Sequence, residues 1–167
     1  MWVIAFEPQT DEDRRLMKIG DIIAPDRVIV GLRAADKAQL LQDLAGRAAT
    51  ALSMDRRRIF DALLARENLG STGLGKGFAL PHARLEGLGT PFALFVRLAR
   101  PIDFAAIDER PVDLAILLLT PANGASGATD HLAILAALSR PLRDDMFVQK
   151  LRAASDAAAL HRLLASA

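Results

Sequence analysis

The sequence contains no cysteine and no tyrosine among its 167 residues. Without cysteine, the chain has no disulfide, no thiolate metal site and no thiol nucleophile. Its net charge of +1 gives no electrostatic case for nucleic-acid binding, because proteins that bind nucleic acid usually carry a basic face. No apolar run approaches the roughly eighteen residues of a membrane-spanning helix. We therefore predict a globular protein of the cytoplasm, with no nucleic-acid partner and no membrane insertion.

Residues 1–16 form a segment that we interpret as a loose N-terminal extension, with Met17 as an alternative natural start. The apolar run from Trp2 to Phe6 is too short for the core of a signal peptide, and acidic residues follow it without a small-residue cleavage site. The remaining residues, 17–167, suit one domain, since the whole chain is 51% hydrophobic and 25% charged.

Changes in hydrophobic periodicity predict alternating groups of helices and strands. We expect strands at residues 28–32, 78–80, 92–98 and 112–119, and helices at about 36–52, 55–68, 144–153 and 156–165. Another helix is expected to begin at Asp130, after a loop that opens at Pro121 and runs through Thr129. The expected N-caps are Asp36, Asp55, Asp130 and Asp156. This order predicts an α/β fold, a single domain with a mixed β-sheet flanked by helices.

The most distinctive segment is glycine-rich at its start and runs from Gly70 to Arg84. Its glycines allow backbone N–H groups to turn toward an anion, and Pro81 restricts the angle at which His82 enters the next element. A neutral imidazole, with an ordinary pKa near 6.5, carries an unprotonated nitrogen that can attack phosphorus. The segment therefore predicts phosphate chemistry at His82.

Part of the same segment matches a nucleotide-binding P-loop. Residues 70–76 fit the pattern G-x-x-x-x-G-K, but Gly77 occupies the place of the hydroxyl residue that holds magnesium. A P-loop also follows a strand and opens a helix, whereas this segment follows a predicted helix and leads into a predicted strand. The pattern therefore does not indicate a nucleotide site.

Four polar residues near the glycines are candidates for holding a phosphoryl group on His82. Arg66 offers a guanidinium fork that suits phosphate, and Glu67 offers a carboxylate that could orient either the arginine or a loop amide. The hydroxyls of Ser71 and Thr72 could shape the loop or contact phosphate. Neither hydroxyl is expected to be a nucleophile, because the sequence places no general base beside it.

The remaining candidates depend more strongly on the fold. Gly73 and Gly75 are expected to need positive φ if their amides line an anion site. His131 begins a predicted helix, where the positive end of the dipole favours an anion, and it matters only if the fold brings it beside His82. We interpret His161 as a surface residue. The three histidines lack metal-ligand spacing, so we predict no metal and no cofactor.

The stretch from Arg66 to His82 resembles the enzyme IIA domains of the fructose/mannitol class in the phosphoenolpyruvate-dependent phosphotransferase system. It looks closest to the stand-alone nitrogen-related enzyme IIA proteins. The similarity runs from about Ile19 to the C-terminus and includes Pro101-Ile102-Asp103-Phe104, Ile107-Asp108, Pro111-Val112-Asp113 and His131-Leu132.

The resemblance implies a phosphocarrier with a transient phosphohistidine. His82 would accept a phosphoryl group from a histidine-phosphorylated HPr-like carrier, Arg66 would help to hold that group, and His131 would lie beside the active imidazole. The chain contains neither a IIB domain nor a membrane span, which favours a regulatory output in the nitrogen-related branch. Two alternatives remain open, a sugar-specific enzyme IIA that passes phosphate to a separate IIB and a non-catalytic anion-binding regulatory module.

Overall fold

A six-stranded mixed sheet forms the centre of the computed structural model, which describes residues 18–122 and 127–167. The strands are β1 (Val28–Leu32), β2 (Gly73–Gly75), β3 (Phe78–Ala79), β4 (His82–Leu85), β5 (Phe92–Ile102) and β6 (Val112–Pro121). They lie in the order β1-β5-β6-β3-β2, and β4 also pairs with β6. Strands β5 and β6 are antiparallel, whereas β1 is parallel to β5, and β3 and β4 are parallel to β6. The predicted α/β fold with a mixed sheet is confirmed.

Six α-helices flank the sheet in the described part of the chain. They are α1 (Ile19–Ile22), α2 (Lys37–Leu52), α3 (Arg56–Asn68), α4 (Gly127–Ser139), α5 (Asp145–Ala153) and α6 (Ala157–Ala165). Three of the predicted N-caps are confirmed, because the side chains of Asp36, Asp55 and Asp156 accept hydrogen bonds from the first-turn amides of α2, α3 and α6. The prediction for Asp130 is wrong. Helix α4 begins earlier, at Gly127, so Asp130 lies within its first turn, where a carboxylate still suits the helix dipole.

Apolar side chains cover the sheet on both faces. Leucines of α2 and residues Ile59 and Leu63 of α3 pack on one face, while residues of α1, α4, α5 and α6 pack on the other. The central strand β6 is therefore buried along almost its whole length, as the apolar run 112–119 predicts. Two packed faces fix the direction of β6, whose C-terminal end borders the site described below.

Strands β3 and β4 follow one path along β6, interrupted at Leu80 and Pro81. Phe78 pairs with Leu114 and His82 pairs with Leu118, so the register is the same before and after the interruption. Proline has no N–H group to donate within a sheet, which explains a break at this position. The break leaves the Leu80 carbonyl available to the side chain of His82.

Several local predictions need correction. The glycine-rich segment was expected to be a loop, but its middle forms β2, which pairs with β3 in an antiparallel hairpin. Strand β6 continues through Pro121, where we expected a loop to open. His161 is half-buried rather than on the surface, with its Nε2 atom 3.0 Å from the Ile23 carbonyl oxygen. The proposed N-terminal extension, residues 1–16, lies outside the described residues, as do residues 123–126 of the loop expected before α4.

Candidate active site

His82 is the first residue of β4, and its ring is oriented by the main chain. Its Nδ1 atom lies 2.8 Å from the carbonyl oxygen of Leu80. A carbonyl oxygen only accepts hydrogen bonds, so Nδ1 must carry the proton that it donates. The neutral ring then has its lone pair on Nε2, and this nitrogen is the nucleophilic one.

Arg66 lies in the last turn of α3 and contacts that second nitrogen. Its Nε–H group donates to His82 Nε2 at 3.2 Å, and its Nη1 atom donates to the carbonyl oxygen of Gly70 at 2.9 Å. Because an arginine side chain is always a donor, this contact agrees with a lone pair on Nε2. The guanidinium thus lies where a phosphoryl group on His82 would place its negative charge.

The surroundings of His82 keep its ring neutral. Burial lowers its pKa below the ordinary value of 6.5, and the nearby charge of Arg66 lowers it further. The hydrogen bond to Leu80 and the charge of Glu67 oppose this effect only in part. At neutral pH the ring is therefore uncharged, as a nitrogen nucleophile requires.

His131 lies beside His82, as the resemblance implies. The two ring centroids are 5.4 Å apart, and the ring planes are inclined by 47°. His131 is only 8% exposed, and its Nδ1 atom forms a hydrogen bond with the hydroxyl of Thr120. Burial lowers the pKa of His131 to about 4, and the charges of Arg84, Arg66 and a protonated His82 act in the same direction. Both imidazoles are consequently neutral at pH 7.

Glu67 contacts the loop and a lysine, and not the arginine. Its buried carboxylate accepts from the Thr72 amide at 3.0 Å and from the Thr72 hydroxyl, and it forms an ion pair with Lys37 Nζ at 2.6 Å. Burial alone would raise the pKa of Glu67, but the hydrogen bonds from Lys37 and Thr72 outweigh burial and lower it. The ionised carboxylate therefore fixes the start of the glycine-rich segment.

The hydroxyls of Ser71 and Thr72 also shape this segment. Ser71 Oγ donates to the Phe104 carbonyl oxygen at 3.0 Å and accepts from the Gly73 amide at 3.1 Å. The Thr72 hydroxyl hydrogen is donated to Glu67. Both side chains border the cleft that contains His82, but their donors, and the amides of Thr72 and Gly73, already have partners within the protein.

Gly73 and Gly75 are not among the residues that line the cleft of His82. The structure favours glycine at both positions, for different reasons. Gly75 has the expected positive φ, +93°, whereas the φ of Gly73 is not positive. At Gly73 the constraint is space, since an added Cβ would lie 2.8 Å from the Cβ and 2.9 Å from the Cα of Ala106. The hypothesis that both glycines turn free amides toward an anion therefore finds no support in their geometry.

The cleft itself lies between the end of α3, the start of β4 and one face of α4. Its lining residues are Arg66, Ser71, Thr72, Leu74, Leu80, His82, Leu135, Ala136 and Ser139. The described residues contain no cluster of three or more histidine, aspartate or glutamate side chains that could hold a metal ion. No helix in residues 18–122 or 127–167 is long and apolar enough to cross a membrane.

Sequence reasoning missed two residues that hold the site. Lys37, the first residue of α2, is far from Glu67 in sequence, and the predicted cap at Asp36 beside it gives no indication of an ion pair. Thr120 had a detectable signal, because it is a polar residue at the end of the apolar run of β6. Both act through a residue that the sequence did single out, Glu67 or His131.

Comparisons with known proteins indicate the family of this chain. The family model described as "Phosphoenolpyruvate-dependent sugar phosphotransferase system, EIIA 2" matches residues 21–167. A nitrogen regulatory protein of Bradyrhizobium diazoefficiens is 46% identical over 149 residues, which cover 89% of this chain and 95% of that protein. The fructose-specific EIIA component of Haloferax volcanii is 40% identical over 111 residues, covering 66% and 70% of the two chains. The crystal structure of nitrogen regulatory protein IIA-Ntr from Neisseria meningitidis matches with a TM-score of 0.81 at 31% identity, covering 87% of this chain and 98% of that one.

Proposed function

Because the chain belongs to the EIIA 2 family of the phosphoenolpyruvate-dependent sugar phosphotransferase system, we propose that it carries a phosphoryl group on Nε2 of His82. One observation carries the proposal: Nδ1 of His82 is held by the Leu80 carbonyl, and Nε2 faces the guanidinium of Arg66. The ring is therefore neutral and oriented, and its lone pair lies beside a fixed positive charge. These are the properties needed for attack on a phosphoryl group.

The transfer exchanges one phosphorus–nitrogen bond for another. The lone pair on His82 Nε2 attacks the phosphorus of a phosphohistidine on an HPr-like carrier, and the bond between that phosphorus and the carrier's imidazole breaks. The carrier's nitrogen recovers the electron pair of the broken bond. Nδ1 of His82 keeps its proton, and the Leu80 carbonyl stabilises the positive charge that the phosphorylated ring acquires.

Arg66 has to change partner during this step. In the unphosphorylated protein its Nε–H group occupies the lone pair of His82 Nε2. When phosphorus bonds to Nε2, that donor is released and can bind a phosphoryl oxygen through the same planar fork. We therefore assign to Arg66 the stabilisation of the transferred group, while Glu67 and Lys37 hold the adjoining segment in place.

The experiment is a phosphorylation assay with phosphoenolpyruvate, enzyme I and an HPr-type protein. Wild-type protein is expected to gain one phosphoryl group that is labile in acid and stable in base, and ³¹P NMR is expected to identify the Nε2 isomer. His82→Gln should take up none. His161→Gln is the matched control, because His161 is half-buried and hydrogen-bonded but lies at the Ile23 carbonyl, outside the site.

The outcomes separate the alternatives. Label on His82→Gln at the wild-type rate would overturn the site assignment. No label on the wild-type protein with its cognate carrier would instead favour a non-catalytic anion-binding module.

We further propose that the phosphorylation state of His82 determines which proteins this chain binds, in a nitrogen-related regulatory branch. The support is similarity to a protein named for nitrogen regulation at 46% identity. Affinity capture should compare phosphorylated protein, unphosphorylated protein and His82→Ala. A partner retained equally by all three would contradict regulation through His82.

A sugar-specific role is the second candidate, because a fructose-specific EIIA component is 40% identical over 111 residues. In that case phosphorylated protein should pass its phosphoryl group to a IIB protein and then to a sugar. Transfer at a rate comparable to the loading of His82 would support the sugar-specific role over the regulatory one.

A further inference from the structure

Thr120 is a buried polar residue in the most apolar strand of the sheet. It is 1% exposed and lies in β6, where it pairs with Arg84 of β4, two residues after His82. Its hydroxyl contacts Nδ1 of His131, and this is the hydrogen bond that the structure shows for it within the described residues. A threonine here needs a reason beyond packing, because valine has nearly the same shape without the polar group.

The direction of this hydrogen bond follows from burial. A buried hydroxyl has lost its hydrogen bonds to water. Unless it donates its hydrogen to an acceptor in the protein, its burial destabilises the folded state. In the described residues the partner of this hydroxyl is Nδ1 of His131, which can accept the hydrogen in one of the two neutral tautomers. If Nδ1 accepts, the neutral ring must carry its hydrogen on Nε2.

We propose that Thr120 is a positioning residue that fixes His131 as the Nε2–H tautomer, so that His131 offers a hydrogen-bond donor to a phosphoryl group on His82. The inference rests on the function proposed above for His82. The two ring centroids are 5.4 Å apart, so His131 borders the space that this phosphoryl group would enter. The other tautomer would place a lone pair toward the negatively charged oxygens and repel them.

The two histidines would then have complementary tautomers. His82 carries its hydrogen on Nδ1 because a carbonyl holds it there, whereas His131 carries its hydrogen on Nε2 because a hydroxyl donates to Nδ1. One ring presents a lone pair and the other a donor. The tautomer of each ring is set by a partner on the side away from the reacting atoms.

The tautomer can be measured without any phosphoryl transfer. Long-range ¹H–¹⁵N correlation spectra of the unphosphorylated protein at pH 7 distinguish Nε2–H from Nδ1–H rings. Wild-type protein and Thr120→Ser should show His131 as Nε2–H, and Thr120→Val should show a mixture or the Nδ1–H form. An Nδ1–H ring in the wild type, or an unchanged Nε2–H ring in Thr120→Val, would overturn the proposal.

A kinetic measurement tests the consequence. With a phosphorylated HPr-type carrier, Thr120→Val should load His82 about tenfold more slowly, less than the roughly hundredfold loss typical of removing a direct donor. Thr120→Ser should stay within about twofold of wild type, and in a His131→Gln background Thr120→Val should add no further loss. Thermal unfolding of each variant establishes that it is folded.

A loss in Thr120→Val that persists at full size in the His131→Gln background would show that Thr120 acts elsewhere, and would contradict the proposal. If the wild type accepts no phosphoryl group at all, the function proposed for His82 fails. The spectra still decide the tautomer in that event.

Discussion

The two histidines of the candidate site are held by different means. His82 lines the cleft and is partly exposed, and it is held by a main-chain carbonyl and contacted by a guanidinium. His131 is buried and is held by a threonine hydroxyl at the end of β6. The difference suits the two roles proposed above, since partner and exposure determine which nitrogen keeps its lone pair.

The largest expected effect comes from replacing the two histidines in turn. His82→Gln should lower the rate of phosphoryl transfer by roughly 10⁴-fold or more, because it removes the nucleophile. His131→Gln should lower it by about 100-fold, because it removes the proposed donor and leaves the nucleophile. Single-turnover loading from a phosphorylated HPr-type carrier measures both. Equal losses in the two variants would contradict the division of roles.

The second largest effect is expected at Arg66, which contacts His82. Arg66→Leu should lower the transfer rate by about 10²- to 10³-fold, because the phosphoryl charge loses its fixed cation, and Arg66→Lys should retain part of the rate. Arg57→Leu is the matched control, since Arg57 lies on the same helix with an exposed side chain, whose Nε atom is 3.9 Å from a carboxylate oxygen of Asp61. A rate for Arg66→Leu close to that of the control would overturn the assignment.

The buried His131 should make stability depend on pH. Its pKa is about 4 in the folded chain and about 6.5 when unfolded, so the unfolded chain binds a proton more readily between these values. The free energy of unfolding should therefore fall by about 3 kcal/mol as the pH drops from about 6.5 to 4, and this contribution should stop changing below pH 4. Urea unfolding of wild type and His131→Gln across this range measures it. Identical slopes in the two proteins would disprove the contribution.

The smallest effects are expected for Glu67 and Lys37, which hold the start of the glycine-rich segment beside His82. Glu67→Gln should lower the free energy of unfolding by about 1–3 kcal/mol at pH 7, because an ionised acceptor of three hydrogen bonds is lost. Lys37→Met should cost less, since Lys37 is partly exposed. Because the pKa of Glu67 is lowered on folding, its contribution should be present above about pH 4.3 and should decrease as the pH falls through the folded value.

Spectra of His131 test whether the Glu67–Lys37 ion pair affects the second histidine. The tautomer of His131 should be unchanged in Glu67→Gln and in Lys37→Met, because the side-chain hydrogen bonds and ion pairs that the described residues show for Glu67 and Lys37 join them to other partners. A changed His131 spectrum in either variant would show that the surroundings of His131 are not independent of the Glu67–Lys37 ion pair.

Much of the fold could be predicted from short-range patterns. The aspartate caps at residues 36, 55 and 156 and the apolar run of β6 are local signals, and they were sufficient for helices α2, α3 and α6 and for the central strand. Strand β2 could not be predicted, because three residues with two glycines carry no alternating pattern. The start of α4 was misplaced because Asp130 suits either a cap or a first turn.

The candidate site was predictable where chemistry is local in sequence. Arg66 and His82 lie close together in the chain and flank the glycines, and the structure brings them into contact. The partners of Glu67 and His131 come from distant elements, so the contacts with Lys37 and Thr120 required the tertiary structure. The need for glycine at position 73 also required the tertiary structure, because the space there is limited by Ala106, which is far along the chain.

The carbonyl that orients His82 has a consequence for genetics. A substitution can delete a side-chain partner, but every residue type at position 80 supplies the same main-chain oxygen. The orientation of the active ring is therefore robust to point mutation at its own acceptor, provided that the buried side chain remains apolar. A selection for loss of function should accordingly yield changes at Arg66 and Pro81, and conservative changes at Leu80 should be recovered among the functional survivors.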